Sequence, residues 1–305
     1  MTYLLNNAAA NTALLNLTMT QKNLSMTQQQ LSTGLAVENA SDNASYWSIA
    51  QTMTSDNKAL GAVSDSLKVS EQMVSTFNSA LKQAMGVLTK IKADLTSAQN
   101  PGADLKQIQT DIAAQQSALQ AIADSTVFNG QNWLKGDSTA SSTTPGGYAV
   151  QKLVGGYVNG STGVITISVD TKNTILYDAN TTAASKTGIL DKQGTASGAA
   201  IKDYDVTNLP TGKTIANLLQ DLDTAYTALE KAGSTFGSAT NMIETQQSYI
   251  STMQTNLDNG IASLVDADMN KVSTRLQALQ TQQQLGVQSL SIANQSTQMI
   301  LKLFQ

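Results

Sequence analysis

Cysteine and histidine are both missing from this 305-residue chain, and arginine occurs once, at Arg275. Without thiols or imidazoles there are no disulfides and no Cys/His zinc sites. Thiolate nucleophiles and imidazole acid–base catalysis are excluded with them. No EF-hand spacing stands in for the missing ligands, so no metal or other cofactor is expected. Charge is also scarce: Asp, Glu, Lys and Arg make up 13% of residues, with a net charge of -4. The basic stripe that tracks nucleic acid is absent, so nucleic acid is not an expected partner. No run of about 18 apolar residues occurs, so no membrane span is expected. The first charge is Lys22, and no apolar stretch with a cleavage site accompanies the N-terminus, so a cleaved secretory signal is not expected. Three prolines, Pro101, Pro145 and Pro210, all fall outside the apolar repeats described next, as the cost of proline inside a helix requires.

Hydrophobic residues are 41% of the chain, and their spacing is ordered. An apolar residue takes every seventh position at Leu222, Leu229, Phe236, Ile243, Ile250, Leu257 and Leu264. A second run alternates steps of three and four through Ile49, Met53, Asp56, Leu60, Val63, Leu67, Ser70, Val74, Phe77, Leu81, Ala84, Leu88, Ile91 and Leu95. Such repeats place one apolar seam along a helix and pair it with another. The spacing therefore predicts two long helices side by side, from about 42–44 to before Asn100-Pro101-Gly102 and from Ile215 onward behind Thr214 as a cap. A third helix is expected through Leu105, Ile108, Ile112, Leu119 and Ile122, stopping near Phe128-Asn129-Gly130. Shorter seams occupy both ends: Leu14, Leu17, Leu24 and Leu31, then Val265, Val272, Leu276, Leu279, Leu290 and Ile300, with Leu303 and Phe304 at the close. The seam slips by one residue at Leu264, close to Gly260, where a joint is expected. Asp266 and Asp268 are two apart and diverge on a helix; they favour the start of the last helix by their charge.

Between 136 and 211 the helical period disappears, and Gly, Thr and Ser dominate. Tyr157-Val158-Asn159-Gly160 followed by Val164, Ile165, Ile167 and Val169 reads as a β-hairpin. Thr174–Tyr177 is a further candidate strand, and 179–200 reads as a loosely folded loop. The expected fold is mainly α, with long antiparallel coiled-coil helices from both chain ends and a small β-hairpin insertion. Its segments are 1–34 and 265–305 as terminal coiled coils, 35–135 and 212–264 as a central bundle, and 136–211 as the insertion. Trp47 and Trp133 are expected to be packing residues.

Three strings look chemical. Ser55-Asp56-Asn57-Lys58, Ser41-Asp42-Asn43 and Lys186-Thr187-Gly188 match fragments of the active-serine transferase set. That chemistry needs its serine at a helix start, whereas Ser55 lies inside a heptad run. Gly212-Lys213-Thr214 resembles the end of a phosphate-binding loop, but Thr207 replaces the first glycine and Pro210 removes a cradle N–H. No catalytic residue is assigned.

Leu31-Ser32-Thr33-Gly34-Leu35-Ala36-Val37-Glu38-Asn39-Ala40-Ser41-Asp42-Asn43-Ala44 resembles the signature of bacterial flagellins, as do Phe128-Asn129-Gly130 and the ending from Leu290 to Gln305. The stretch Ser41–Leu60 is most similar to alphaproteobacterial flagellins. Ala36 and Asn43 depart from the usual Arg and Asp. The resemblance implies an extracellular filament subunit that polymerises with itself for swimming motility. Its partners would be the flagellar type III export machinery and chaperone, the filament cap and the hook-junction proteins. Leu14, Leu17, Leu24, Leu31, Leu276, Leu279, Leu290, Ile300, Leu303 and Phe304 would then build an inner tube. Leu60, Leu67, Val74, Phe77, Leu81, Leu88, Leu222, Leu229, Phe236, Ile243, Ile250 and Leu257 would form the outer-bundle core. It also places the positions gripped by an animal innate-immune receptor at Val87, Ile91 and Asp111. The alternatives are a hook–filament junction protein, an active-serine enzyme, and a cytoplasmic signalling coiled coil.

Overall fold

The computed structural model describes residues 7–136, 150–158, 164–179 and 186–303, with side chains described as far as 295. The chain divides into two compact units, one of residues 1–58 with 254–305 and one of residues 59–253.

In the first unit, α1 (Ala8–Thr33) opens behind Asn7, whose side-chain oxygen accepts from the Ala10 N–H at 3.0 Å. It stops at Gly34, whose left-handed φ of 75° returns its N–H to the Gln30 carbonyl, a cap that suits glycine. The chain then crosses to the joint between α4 (Ile215–Val265) and α5 (Met269–Leu303). Ala36 N–H donates to the Val265 carbonyl at 2.7 Å, and Ala267 N–H to the Gly34 carbonyl at 2.8 Å. The Asp42 carboxylate accepts from the N–H groups of Glu38 and Asn39, and Asn43 caps α2 (Ala44–Ser97) through Ser45 and Tyr46. Asp268 caps α5 by accepting from Asn270 and Lys271, so it acts by direct hydrogen bonds as well as charge. The α1 and α5 helices pack antiparallel: Asn7 donates to the Ala293 carbonyl and Gln283 to the Gln21 carboxamide. Leu17 packs against Gly286, where an added Cβ would lie 3.2 Å from the leucine methyl. Within the same unit Asn57 donates to Asp258, and Gly260 leaves room for the Met53 methyl.

The second unit holds the later part of α2, the earlier part of α4, and α3 (Leu105–Ser125). The pairs Glu71 with Gln247 and Lys92 with Asp223 set α2 and α4 antiparallel. Their heptad residues are buried as the spacing requires: Leu60, Leu67, Val74, Phe77, Leu81 and Leu88 from α2, with Leu222, Leu229, Phe236, Ile243 and Ile250 from α4. Leu257, on the same seam but in the first unit, is only half-buried. Ile112 and Leu119 complete the core from α3. Trp133 stacks on Phe77 with ring centroids 5.0 Å apart, and Phe236 lies 6.1 and 6.3 Å from the two. Trp133 is therefore a packing residue, as expected. Trp47 is 37% exposed in the single chain, against the expectation, because it falls off the α2 seam.

Asn129 and Gly130 both take positive φ, and Phe128 and Gln131 exchange two hydrogen bonds around them, the geometry of a two-residue hairpin turn. Two short strands, β1 (Lys135–Gly136) and β4 (Tyr177–Asp178), then pair in parallel. The hairpin is formed by β2 (Val150–Tyr157) and β3 (Val164–Asp170), antiparallel with a bulge between Val154 and Gly156. Its expected turn at Asn159-Gly160 lies outside the described residues. Thr174 and Ile175 are buried but not strand; only Tyr177 of that candidate is.

The expectation of a loosely folded loop fails over 186–200. Leu190, Ala200, Ile201, Tyr204 and Val206 are buried. The Tyr204 hydroxyl donates to the Leu218 carbonyl of α4 at 3.1 Å. Gln109 of α3 donates to the Tyr204 carbonyl and accepts from Val206 N–H, while Gln116 donates to the Ile201 carbonyl. Side-chain amides thus join main-chain bonds such as Ile189 N–H to the Ile175 carbonyl and Leu190 N–H to the Leu176 carbonyl, and neither follows a heptad that spacing could disclose.

Candidate assembly surfaces

The α1–α5 pair buries Leu24, Val272 and Leu279 and half-buries Leu17, Leu276 and Leu290. Each helix then has apolar side chains left over. On α1, Leu15 (64% exposed), Met19 and Met26 are separated by four and seven residues, which puts them on one face. On α5, Leu285 and Ile292 (66% exposed) are seven apart. Of the expected inner-tube residues, Leu14 and Leu31 are exposed in the single chain. Ile300 and Leu303 lie in α5 with side chains outside the described residues, and Phe304 lies outside them altogether. The stripe of Leu15, Met19 and Met26 is off the expected seam, and a second apolar heptad position on α1 was the available signal. Large exposed apolar faces mark contact surfaces rather than solvated ones.

Further apolar groups stand out on α2, at Tyr46, Trp47 and Ile49, and on the hairpin, at Tyr157, Val164 and Ile165. Ile91 is fully buried, which removes it from the receptor-facing set Val87, Ile91 and Asp111.

The chemical-looking strings assemble no active site. Ser55 is exposed in the interior of α2. The Lys186 amine lies 3.4 Å from the Asp191 carboxylate. Lys213 donates to the Ala196 carbonyl, and the Thr214 hydroxyl donates to Asn217, whose oxygen also takes the Thr214 N–H as the back half of a helix cap. Burial raises the Asp191 pKa above the ordinary carboxylate value, opposed by the Asp178 N–H and by Lys186. Burial also penalises the Asp221 carboxylate, but hydrogen bonds from Ser197 and Ala196 with the Lys213 charge outweigh it and hold its pKa low. These two aspartates fasten the 186–200 segment. Among the described residues no three metal-ligating side chains cluster, and no helix is long and apolar enough to cross a membrane.

Two family regions match this chain: the bacterial flagellin N-terminal helical region over residues 4–139 and the C-terminal helical region over residues 219–304. Flagellin C of Rhizobium meliloti (strain 1021) is 39% identical over 329 aligned residues, with both chains covered in full. Flagellin of Brucella melitensis biotype 1 is 37% identical and flagellin A of Rhizobium meliloti 32% identical, again with full coverage of both chains. The matched regions are those that carry the paired helices and their exposed apolar faces. The chain belongs to the bacterial flagellin family and is a structural subunit of the flagellar filament.

Proposed function

We propose that the α1–α5 pair is an incomplete inner layer, finished only when copies of this chain cover its outward apolar faces in an extracellular filament. The observation that carries this is the leftover stripe: Leu15, Met19 and Met26 on α1 with Leu285 and Ile292 on α5, all exposed beside a thin buried seam. In this reading Leu14, Leu17, Leu24, Leu31, Leu276, Leu279, Leu290, Ile300, Leu303 and Phe304 belong to the inner tube. Segments 35–135 and 212–264 form the outer bundle, and 136–211 is the insertion. The joint at Asp266–Asp268, clasped by the strand-like bridge from Leu35, lies where the inner and outer segments meet in sequence. The export machinery with its chaperone, the filament cap and the hook-junction proteins are the partners this role requires. The low charge suits copies packed densely against one another, because like-charge repulsion between them is weak. No enzymatic role is assigned.

Seeded polymerisation followed by electron microscopy tests this reading. Full-length chain should elongate seeds into long filaments. A chain lacking 296–305 should not, while its 59–253 unit keeps its thermal transition. Short capped assemblies from the full chain would favour the junction-protein alternative, and undiminished elongation by the truncated chain would refute the role given to the C-terminus.

A further inference from the structure

A cavity of about 410 Å3 opens in the second unit, where the turn after β3, the 187–204 segment and α4 converge. Ile189, Ile201 and Ala225 give it apolar lining. Asn173, Gln193 and Thr224 also line it, groups that both donate and accept hydrogen bonds. Three lysines from three different stretches of chain, Lys172, Lys192 and Lys231, reach the same rim.

No carboxylate of the described residues lies within ion-pair distance of these three amines. Lys92, Lys135, Lys186 and Lys202 each meet a carboxylate, but the amines of Lys172, Lys192 and Lys231 have no such partner among the described residues. The one carboxylate in the lining, Asp221, is already engaged: one oxygen accepts from Ala196 N–H and the other from Ser197 N–H. Three open amines thus converge on one concave site in a chain of net charge -4. A concave, mostly apolar pocket with a few convergent polar groups is the usual form of a small-molecule site. The lining offers no arginine fork, and the Gly194 N–H is already given to the Ala199 carbonyl. That favours a carboxylate over a phosphate.

We infer that this cavity binds a hydroxyl-rich organic anion of the hexuronate class. Its carboxylate meets the lysine rim, its ring C–H face lies over Ile189, Ile201 and Ala225, and its hydroxyls exchange hydrogen bonds with Asn173, Gln193 and Thr224. The amines are exposed, so each ion pair is weak and screened by salt. Affinity is therefore on the order of millimolar. The site is independent of polymerisation, and its failure would leave the filament role untouched.

The test is a titration of the full-length monomer, followed by NMR shifts, with galacturonate, galactose, acetate and inorganic phosphate in separate arms. Galacturonate should saturate, with galactose, acetate and phosphate weaker by about tenfold or more. The K192Q/K231Q double variant should weaken galacturonate by about tenfold at an unchanged circular dichroism spectrum. Should that variant misfold, the wild-type affinity still has to fall between about 50 and 300 mM NaCl. Equal binding of galactose would overturn the role of the amines, and equal binding of acetate or phosphate would overturn the sugar body. Absence of saturable galacturonate binding, or affinity indifferent to salt, would overturn the site itself.

Discussion

Replacing Leu15 and Ile292 together by glutamine separates folding from assembly. Both side chains are about two-thirds exposed in the single chain, at 64% and 66%. Glutamine keeps good helix propensity, and exposed substitutions of this kind shift stability by no more than about 0.5 kcal/mol. The subunit's own unfolding should therefore change little. If neighbouring copies bury these side chains, the remaining two-thirds of each is worth about 1–2 kcal/mol, taking 1.5–3 kcal/mol for full burial. The pair then contributes about 2–4 kcal/mol to each addition of a subunit. At about 1.4 kcal/mol per decade, the critical concentration for elongation should rise roughly 30- to 1,000-fold. Sedimentation of seeded filaments across a concentration series measures that number, and urea denaturation of the monomer measures the other. A critical concentration within about threefold of wild type would refute the reasoning. So would a loss of monomer stability as large as the loss of assembly.

Three further outcomes follow from the second unit. Phe236→Ala removes a fully buried ring that contacts both Phe77 and Trp133, and should lower the stability of that unit by about 3–5 kcal/mol in urea melts. Excising 186–206 should lower its melting temperature, because Leu190, Ile201, Tyr204 and Val206 leave the core and Gln109 and Gln116 lose their backbone partners; an unchanged transition would show this segment to be dispensable. Asp221→Asn leaves one of two loop N–H groups unpaired and should cost about 1–3 kcal/mol at pH 7. The sign of its pH dependence is fixed: the folded pKa lies below the ordinary value of 3.8, so the wild-type advantage is complete above that value and is lost as pH falls through the folded pKa. A gap between wild type and Asp221→Asn that widens on acidification would contradict the arrangement.

The long helices were legible because their cores are periodic. Leu222 to Ile250 and Leu60 to Leu95 announce a buried seam by spacing alone, and every residue of those runs singled out for the bundle core is buried. Leu257 is the partial exception, half-buried near the end of α4. Helix ends were legible too: α2 runs from Ala44 to Ser97 within the expected bounds, and α4 starts at Ile215 behind Thr214 as expected. The 186–206 segment was not. Its order comes from Asp191 and Asp221 receiving loop N–H groups, from α3 glutamines reaching main-chain carbonyls and from irregular main-chain bonds such as Leu190 to Leu176, none of which has a period. The contact faces were half legible: the seam residues stood out, while Leu15, Met19 and Trp47 fell between seam positions. A seam reports the partner within the chain, and a residue beside it reports the partner outside.

Hydrogen exchange measured on monomer and on filament tests the central claim most directly. Backbone amides of α1 and α5 hold only a thin buried seam in the single chain, with Leu24, Val272 and Leu279 as its buried leucine and valine residues. Ordering each residue costs about 1–2 kcal/mol, so two helices with so little burial are marginal without neighbours. The account predicts weak protection in 8–33 and 269–303 of the monomer, against strong protection at the Phe77–Trp133–Phe236 core, and a large gain in both helices on polymerisation. Protection in those helices that is already strong in the monomer, or that does not change in the filament, would contradict it.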